Sequence, residues 1–270
     1  MPELPEVKTV ANYLKKNLLN KKVTNVKIIY DKTIDSNSLE MNLLIGKTLK
    51  NISTKGKYII FDFKEYFLIS HLRMEGKYFI KDIKEPIIKH EHVIIEFDKL
   101  SLRYHDTRKF GRMQLIYQKD IAKVKGLNTL GPEPWDSEMT NEYLLNKLKN
   151  KRLAIKSILL DQTIIAGLGN IYADEVLFKT RISPLRLGKD IKAKEIELII
   201  NSSAEILSEA TLKGGTSIYS YTSALGVQGN YQNELKVHFR AKQKCYSCDQ
   251  LIKKIKVGGR GTYYCSKCQK

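Results

Sequence analysis

Cysteine is scarce in this chain and confined to one end. Cys245, Cys248, Cys265 and Cys268 all lie within the last 26 of 270 residues, so disulfides cannot staple the bulk of the chain. Long apolar runs are missing as well, none approaching the ~18 residues a membrane-spanning helix needs. A secretory leader is not expected, because Met1-Pro2-Glu3-Leu4-Pro5-Glu6 is acidic and proline-rich where a leader is basic and then apolar. The expected location is the cytoplasm, in association with the nucleoid. Acid is the third shortage: 29 Asp+Glu face 47 Lys+Arg, a net charge of +18. A field of that sign draws polyanions, with nucleic acid the first candidate and an anionic membrane surface the second. No internal repeat or low-complexity tract is present, and 42% hydrophobic with 28% charged residues is ordinary globular composition, enough for two domains.

The cysteines form two C-x2-C pairs separated by 16 residues. In a reducing compartment that is a metal pattern, and the spacing is that of a zinc ribbon. Four thiolates close a tetrahedral shell, which makes a structural site with no open position for catalysis.

The first apolar stretch reads as a helix, with Pro5 in its first turn and Val7, Val10, Ala11, Leu14 and Leu18 at helical spacing. Short strands are predicted next, over Val23–Tyr30, Tyr58–Phe63, Tyr66–Leu72, His92–Phe97, Leu102–His105 and Gly111–Tyr117, with a β-sandwich as the expected result. Gly131-Pro132-Glu133-Pro134-Trp135 is a natural break. Beyond it the pattern turns helical: Thr140 caps one helix, a second covers 151–162, Asn170 caps a third through Phe178, and a fourth spans 190–212 with Gly214-Gly215 as its stop.

Three pieces, "PELPEV" at the start, "LDQTIIAGLGNIYADEVLF" in the middle and C-x2-C…"GRGTYYCSKCQ" at the end, occur in that order. On these the chain resembles, over essentially its whole length, the formamidopyrimidine-DNA glycosylase (Fpg/MutM) family. That family removes 8-oxoguanine and formamidopyrimidines from double-stranded damaged DNA and then cleaves the strand. The expected fold class is α+β multidomain: an N-terminal β-sandwich with its helix (1–130), a hinge (131–136), a helix–two-turns–helix domain (137–240) and a zinc β-ribbon (241–270). A lesion-capping loop is expected at about 214–231. The resemblance implies a monomer with one structural zinc ion and no other cofactor.

Pro2 becomes a secondary amine if Met1 is removed. An α-amino group has a pKa near ~8 against ~10.4 for lysine, so its neutral fraction at pH 7 is larger by roughly two orders of magnitude. A neutral amine can attack C1′ of a deoxyribose and form a Schiff base. Glu3 and Glu6 stand in the first helical turn, where the helix dipole alone would account for carboxylates. The resemblance makes Glu3 the general acid/base and Glu6 its support. It also makes Lys57, in Lys55-Gly56-Lys57-Tyr58, the lysine assisting proton transfer during elimination.

An enzyme acting on a stacked base must extrude it and fill the gap. Met74, Arg108 and Phe110 match the family's void-filling triad, although composition alone would allow Met74 and Phe110 in a core. His71 and His90 match positions near the DNA backbone. Arg152, Lys156 and Asn170 frame the helix–two-turns–helix segment, a helix start suited to phosphate. Arg260, at the tip of the ribbon hairpin, is expected to grip phosphates beside the lesion and to assist elimination.

Two departures bear on lesion preference: Tyr219 stands where the family more often has Arg, and His238-Phe239-Arg240 replaces Tyr-Gly-Arg/Lys. Two rival readings remain, an endonuclease VIII-like glycosylase for oxidised pyrimidines and a non-catalytic damaged-DNA-binding protein. The first tends towards "PEGPE" at its start; the second predicts no covalent adduct.

Overall fold

The computed structural model describes residues 1–216 and 229–270, so Tyr219 and most of the expected lesion-capping loop lie outside the described residues. The chain divides into two compact units, Met1–Asn128 with Gly214–Gly229, and Thr129–Lys213 with Asn230–Lys270.

In the first unit helix α1 runs from Leu4 to Leu18 and buries Val7, Val10, Ala11, Leu14 and Leu18 on one face. Its start is closed by a capping box in which the Glu3 N–H donates to Glu6 Oε2 at 2.9 Å. Eight antiparallel strands follow: β1 (Asn25–Ile28), β2 (Asn51–Lys55), β3 (Tyr58–Asp62), β4 (Tyr66–His71), β5 (Lys77–Asp82), β6 (Glu91–Phe97), β7 (Leu100–His105) and β8 (Arg112–Tyr117). They form two sheets, ordered β1-β6-β7-β5 and β2-β3-β4-β8. One buried cluster joins both sheets to α1, with Phe61, Leu68 and Leu115 from one layer and Val93, Ile95 and Tyr104 from the other. That shared core is what makes the pair a sandwich.

The second unit holds α2 (Asn141–Leu148), α3 (Ile155–Leu159), α4 (Asn170–Lys179), α5 (Ala193–Leu212) and the hairpin β9 (Lys253–Val257) with β10 (Arg260–Tyr264). Thr140 caps α2 by accepting the Tyr143 N–H at 3.0 Å. Gly214, at φ +77°, stops α5 as expected.

Three local expectations are corrected. The helix expected over 151–162 is only the five residues of α3. Gly169, not Asn170, occupies the N-cap of α4, and Asn170 is its first residue. Thr216, expected with the helical domain, is held by α1: Glu6 Oε1 accepts its N–H at 2.7 Å and its hydroxyl at 3.1 Å. Among the described residues no helix is long and apolar enough to cross a membrane.

Candidate active site and nucleic-acid interface

In the first unit Pro2, Glu3 and Glu6, at the start of the chain, and Lys57, whose charge acts on the terminal amine, are all buried. Burial lowers the pKa of the Met1 α-amine, next to Pro2, the Lys57 charge lowers it further, and Glu3, Glu6 and Glu75 pull the other way. Desolvation wins, which favours the neutral, nucleophilic form of an amine here. Glu6 has no freedom to take part in transfer: one oxygen holds the Glu3 N–H and the other holds Thr216. Gly215, at φ +75°, lies so close that a Cβ there would stand 2.6 Å from Glu6 Oε1. Glu6 thus fixes the helix start against the Gly215-Thr216 segment. Lys57 is presented by the two-residue turn between β2 and β3, where Lys55 pairs with Tyr58 and Gly56 takes φ +55°.

Arg108 and Phe110 ride on the turn from β7 to β8. Phe110 is 49% exposed, a poor site for a core ring, and the Arg108 guanidinium lies 5.0 Å from its centroid. The turn is shaped by Asp106, which sequence reasoning missed. Its fully buried carboxylate accepts the Arg108 N–H at 2.9 Å and the Gly111 N–H at 2.8 Å. The local signal was an Asp two residues before Arg108, able to close an Asx turn. Met74 is half-buried on the neighbouring turn, joined to this one by the Thr107 hydroxyl donating to Glu75 Oε2 at 2.5 Å.

His71 is held neutral: burial first, then Arg73 and Lys57, lower its pKa to about 3. Its Nδ1 accepts the Arg73 N–H at 3.0 Å, so the ring proton sits on Nε2. His90 takes a left-handed φ of +72° and packs edge-on against His105, with ring centroids 5.7 Å apart.

In the second unit Arg152 and Arg260 are exposed, Arg260 where the β9–β10 hairpin turns. The hairpin is seated by Asn170, whose Nδ2 donates to the Gly261 carbonyl at 2.9 Å. Lys156 is placed differently from its expected phosphate contact. It is fully buried, donating to the Asn170 carbonyl at 2.8 Å and pairing with Asp174. Gln162, another residue the sequence did not single out, spans the turn before α4, accepting the Gly167 N–H at 3.0 Å and donating to the Leu168 carbonyl at 2.7 Å.

The Sγ atoms of Cys245, Cys248, Cys265 and Cys268 all lie within 4.8 Å of one another, with Cys245–Cys268 at 3.9 Å and Cys248–Cys265 at 3.4 Å. Zn–S bonds of ~2.3 Å in a tetrahedron put sulfurs about 3.8 Å apart. The donor set fits one structural zinc ion.

Comparisons with known proteins agree with this architecture. Residues 1–113 match the family model of the formamidopyrimidine-DNA glycosylase N-terminal domain, 130–222 that of the formamidopyrimidine-DNA glycosylase H2TH domain, and 242–270 that of the zinc finger found in FPG and IleRS. The formamidopyrimidine-DNA glycosylase of Ligilactobacillus salivarius is 45% identical, covering 100% of this chain and 99% of the relative, and that of Mycoplasma mobile is 43% identical with the same coverage. Among solved structures, a complex of the Lactococcus lactis FPG mutant G226P with Fapy-dG containing DNA superposes with TM-score 0.93 at 40% identity, and a complex of Lactococcus lactis Fpg with abasic site containing DNA with TM-score 0.92 at 40%, each over 100% of both chains. With matches of that length and identity, the chain belongs to the formamidopyrimidine-DNA glycosylase family.

Proposed function

We propose that this chain is a bifunctional DNA glycosylase/AP lyase of base excision repair that excises oxidised purines, 8-oxoguanine and formamidopyrimidines, from double-stranded DNA. It works in the cytoplasm at the nucleoid, as a monomer. The observation that carries the reading is the burial of Glu3, Glu6 and Lys57 around the chain terminus, in surroundings that lower the pKa of the Met1 amine by desolvation.

The chemistry follows from those groups. Freed of Met1, the Pro2 nitrogen attacks C1′ of the extruded nucleotide, and the C1′–N bond to the base breaks as the base leaves with a proton. Glu3 manages the protons of base loss and sugar-ring opening, while Glu6 acts through position alone. The C1′–O4′ bond then breaks to leave an iminium at C1′; loss of a C2′ proton expels the 3′ phosphate, and loss of the C4′ proton from the conjugated product expels the 5′ phosphate, with Lys57 and Arg260 assisting. Met74, Arg108 and Phe110 fill the gap in the stack, and His71, His90, Arg152 and Asn170 face the backbone. Cys245, Cys248, Cys265 and Cys268 would hold a zinc ion that fixes the shape of the ribbon carrying Arg260.

Borohydride trapping on a duplex containing 8-oxoguanine tests this reading. The native protein is expected to form a covalent adduct, and Pro2→Gly, folded to the same extent, to lose most of it. Strong trapping by the variant would move the nucleophile to a lysine. Preference for thymine glycol over 8-oxoguanine would favour the pyrimidine-specific rival.

A further inference from the structure

One face of the β2-β3-β4-β8 sheet carries a line of polar side chains. Lys55 pairs with Tyr58, Tyr58 with His71, and His71 with Arg112. Directly opposed residues of antiparallel strands project to the same face, so these four form one row across the sheet. Tyr58, His71, Arg73, Arg112, Lys125 and Asp35 together line a cavity of about 80 Å³. Its three cations outnumber its one carboxylate, and Asp35 already accepts the Asn37 N–H at 3.0 Å. The volume is far below the ~300 Å³ at which small-molecule sites begin. It suits one group of a larger ligand.

The donors are fixed for an anion. Arg73 occupies His71 Nδ1 and burial keeps the ring neutral, so Nε2 is an obligate donor. Burial likewise raises the Tyr58 pKa and keeps its phenol protonated. The Arg112 guanidinium is oriented by Nη1 donating to the Gly111 carbonyl at 2.8 Å and the Lys109 carbonyl at 3.2 Å. Neutral donors beside an oriented guanidinium, with two further cations lining the same cavity, are what a phosphate oxyanion requires.

We infer that this cavity is a phosphodiester subsite in which Arg73, Arg112 and Lys125, with His71, grip one backbone phosphate of the DNA. The inference rests on the DNA-glycosylase reading and adds three cations to its backbone contacts.

The test is binding of an 8-oxoguanine duplex against salt by the Arg112→Gln/Lys125→Gln variant. Both side chains are exposed, and circular dichroism checks the fold. One lost phosphate contact lowers the slope of log K against log salt by about one. Lys16→Gln/Lys32→Gln, which removes two exposed charges elsewhere in the same unit, is expected to leave the slope nearly unchanged. A duplex series with single phosphates replaced by neutral methylphosphonates should contain one position that weakens wild type by roughly tenfold, the value of a hydrogen bond to a charged group, and leaves the variant unaffected. Equal slopes for the two double variants, or no such position, would overturn the subsite while leaving excision intact. Failure of wild type to bind the duplex at all would instead sink the glycosylase reading.

Discussion

His238 Nδ1 lies 2.6 Å from Asp174 Oδ2, while the other oxygen of that carboxylate takes the Lys156 ammonium, all three side chains being buried. The same Oδ2 accepts the Tyr263 N–H at 3.1 Å, so Asp174 ties α3, α4, the 236–238 segment and the ribbon hairpin together. Removing one member of a buried pair strands the other. Lys156→Met is therefore expected to cost about 3–5 kcal/mol of stability, read by denaturant unfolding. Its salt slope for DNA should match wild type at temperatures where both are folded. A slope lowered by one would restore Lys156 as a phosphate contact.

His71 makes stability depend on acid. Unfolded, its imidazole binds a proton near its ordinary 6.5; folded, it resists until about pH 3. Between those values the unfolded state holds the extra proton, so stability drops as pH falls, by at most about 1.4 kcal/mol per pH unit. His71→Gln should flatten that part of a pH series of melting curves. An unchanged acid limb would count against burial as the cause.

Phe110 depends on Asp106. Asp106→Ala leaves the Arg108 and Gly111 amides without their acceptor, at about 1–3 kcal/mol. We expect a loosened turn, slower excision of 8-oxoguanine, and binding of undamaged duplex little changed, measured by single-turnover kinetics and gel shift. Equal loss on both duplexes would point to general unfolding.

Zinc removal should act on the ribbon and leave the sandwich standing. Metal binding and folding are one equilibrium in small thiolate sites. A chelator or Cys268→Ser is expected to remove hydrogen-exchange protection from β9 and β10 and to weaken incision, with β2–β8 protected as before. Unaltered protection in the ribbon would show that it folds without metal.

The helix start, the Thr140 cap and the cysteine cluster were legible because each is signalled locally, by spacing or by a residue type with one dominant use. β2 and β5 were missed. Both are edge strands with mostly half-exposed residues, so neither shows the continuous burial of β6 or the apolar alternation of β7. The roles of Lys156 and Asn170 lay beyond local reading for another reason. Their partners, Asp174 and Gly261, are 18 and 91 residues away, and a basic or amide side chain does not declare in sequence whether it faces water or a buried acceptor.

The Glu6–Thr216 contact joins residues 210 positions apart. A nascent chain contains α1 and all eight strands of the sandwich before Thr216 exists, so Glu6 Oε1 can gain this partner only after the sandwich sequence is complete. Assembly of the corner around Glu6 is thereby deferred until the α5 helix has been synthesised, and a fragment ending near residue 128 could never complete it.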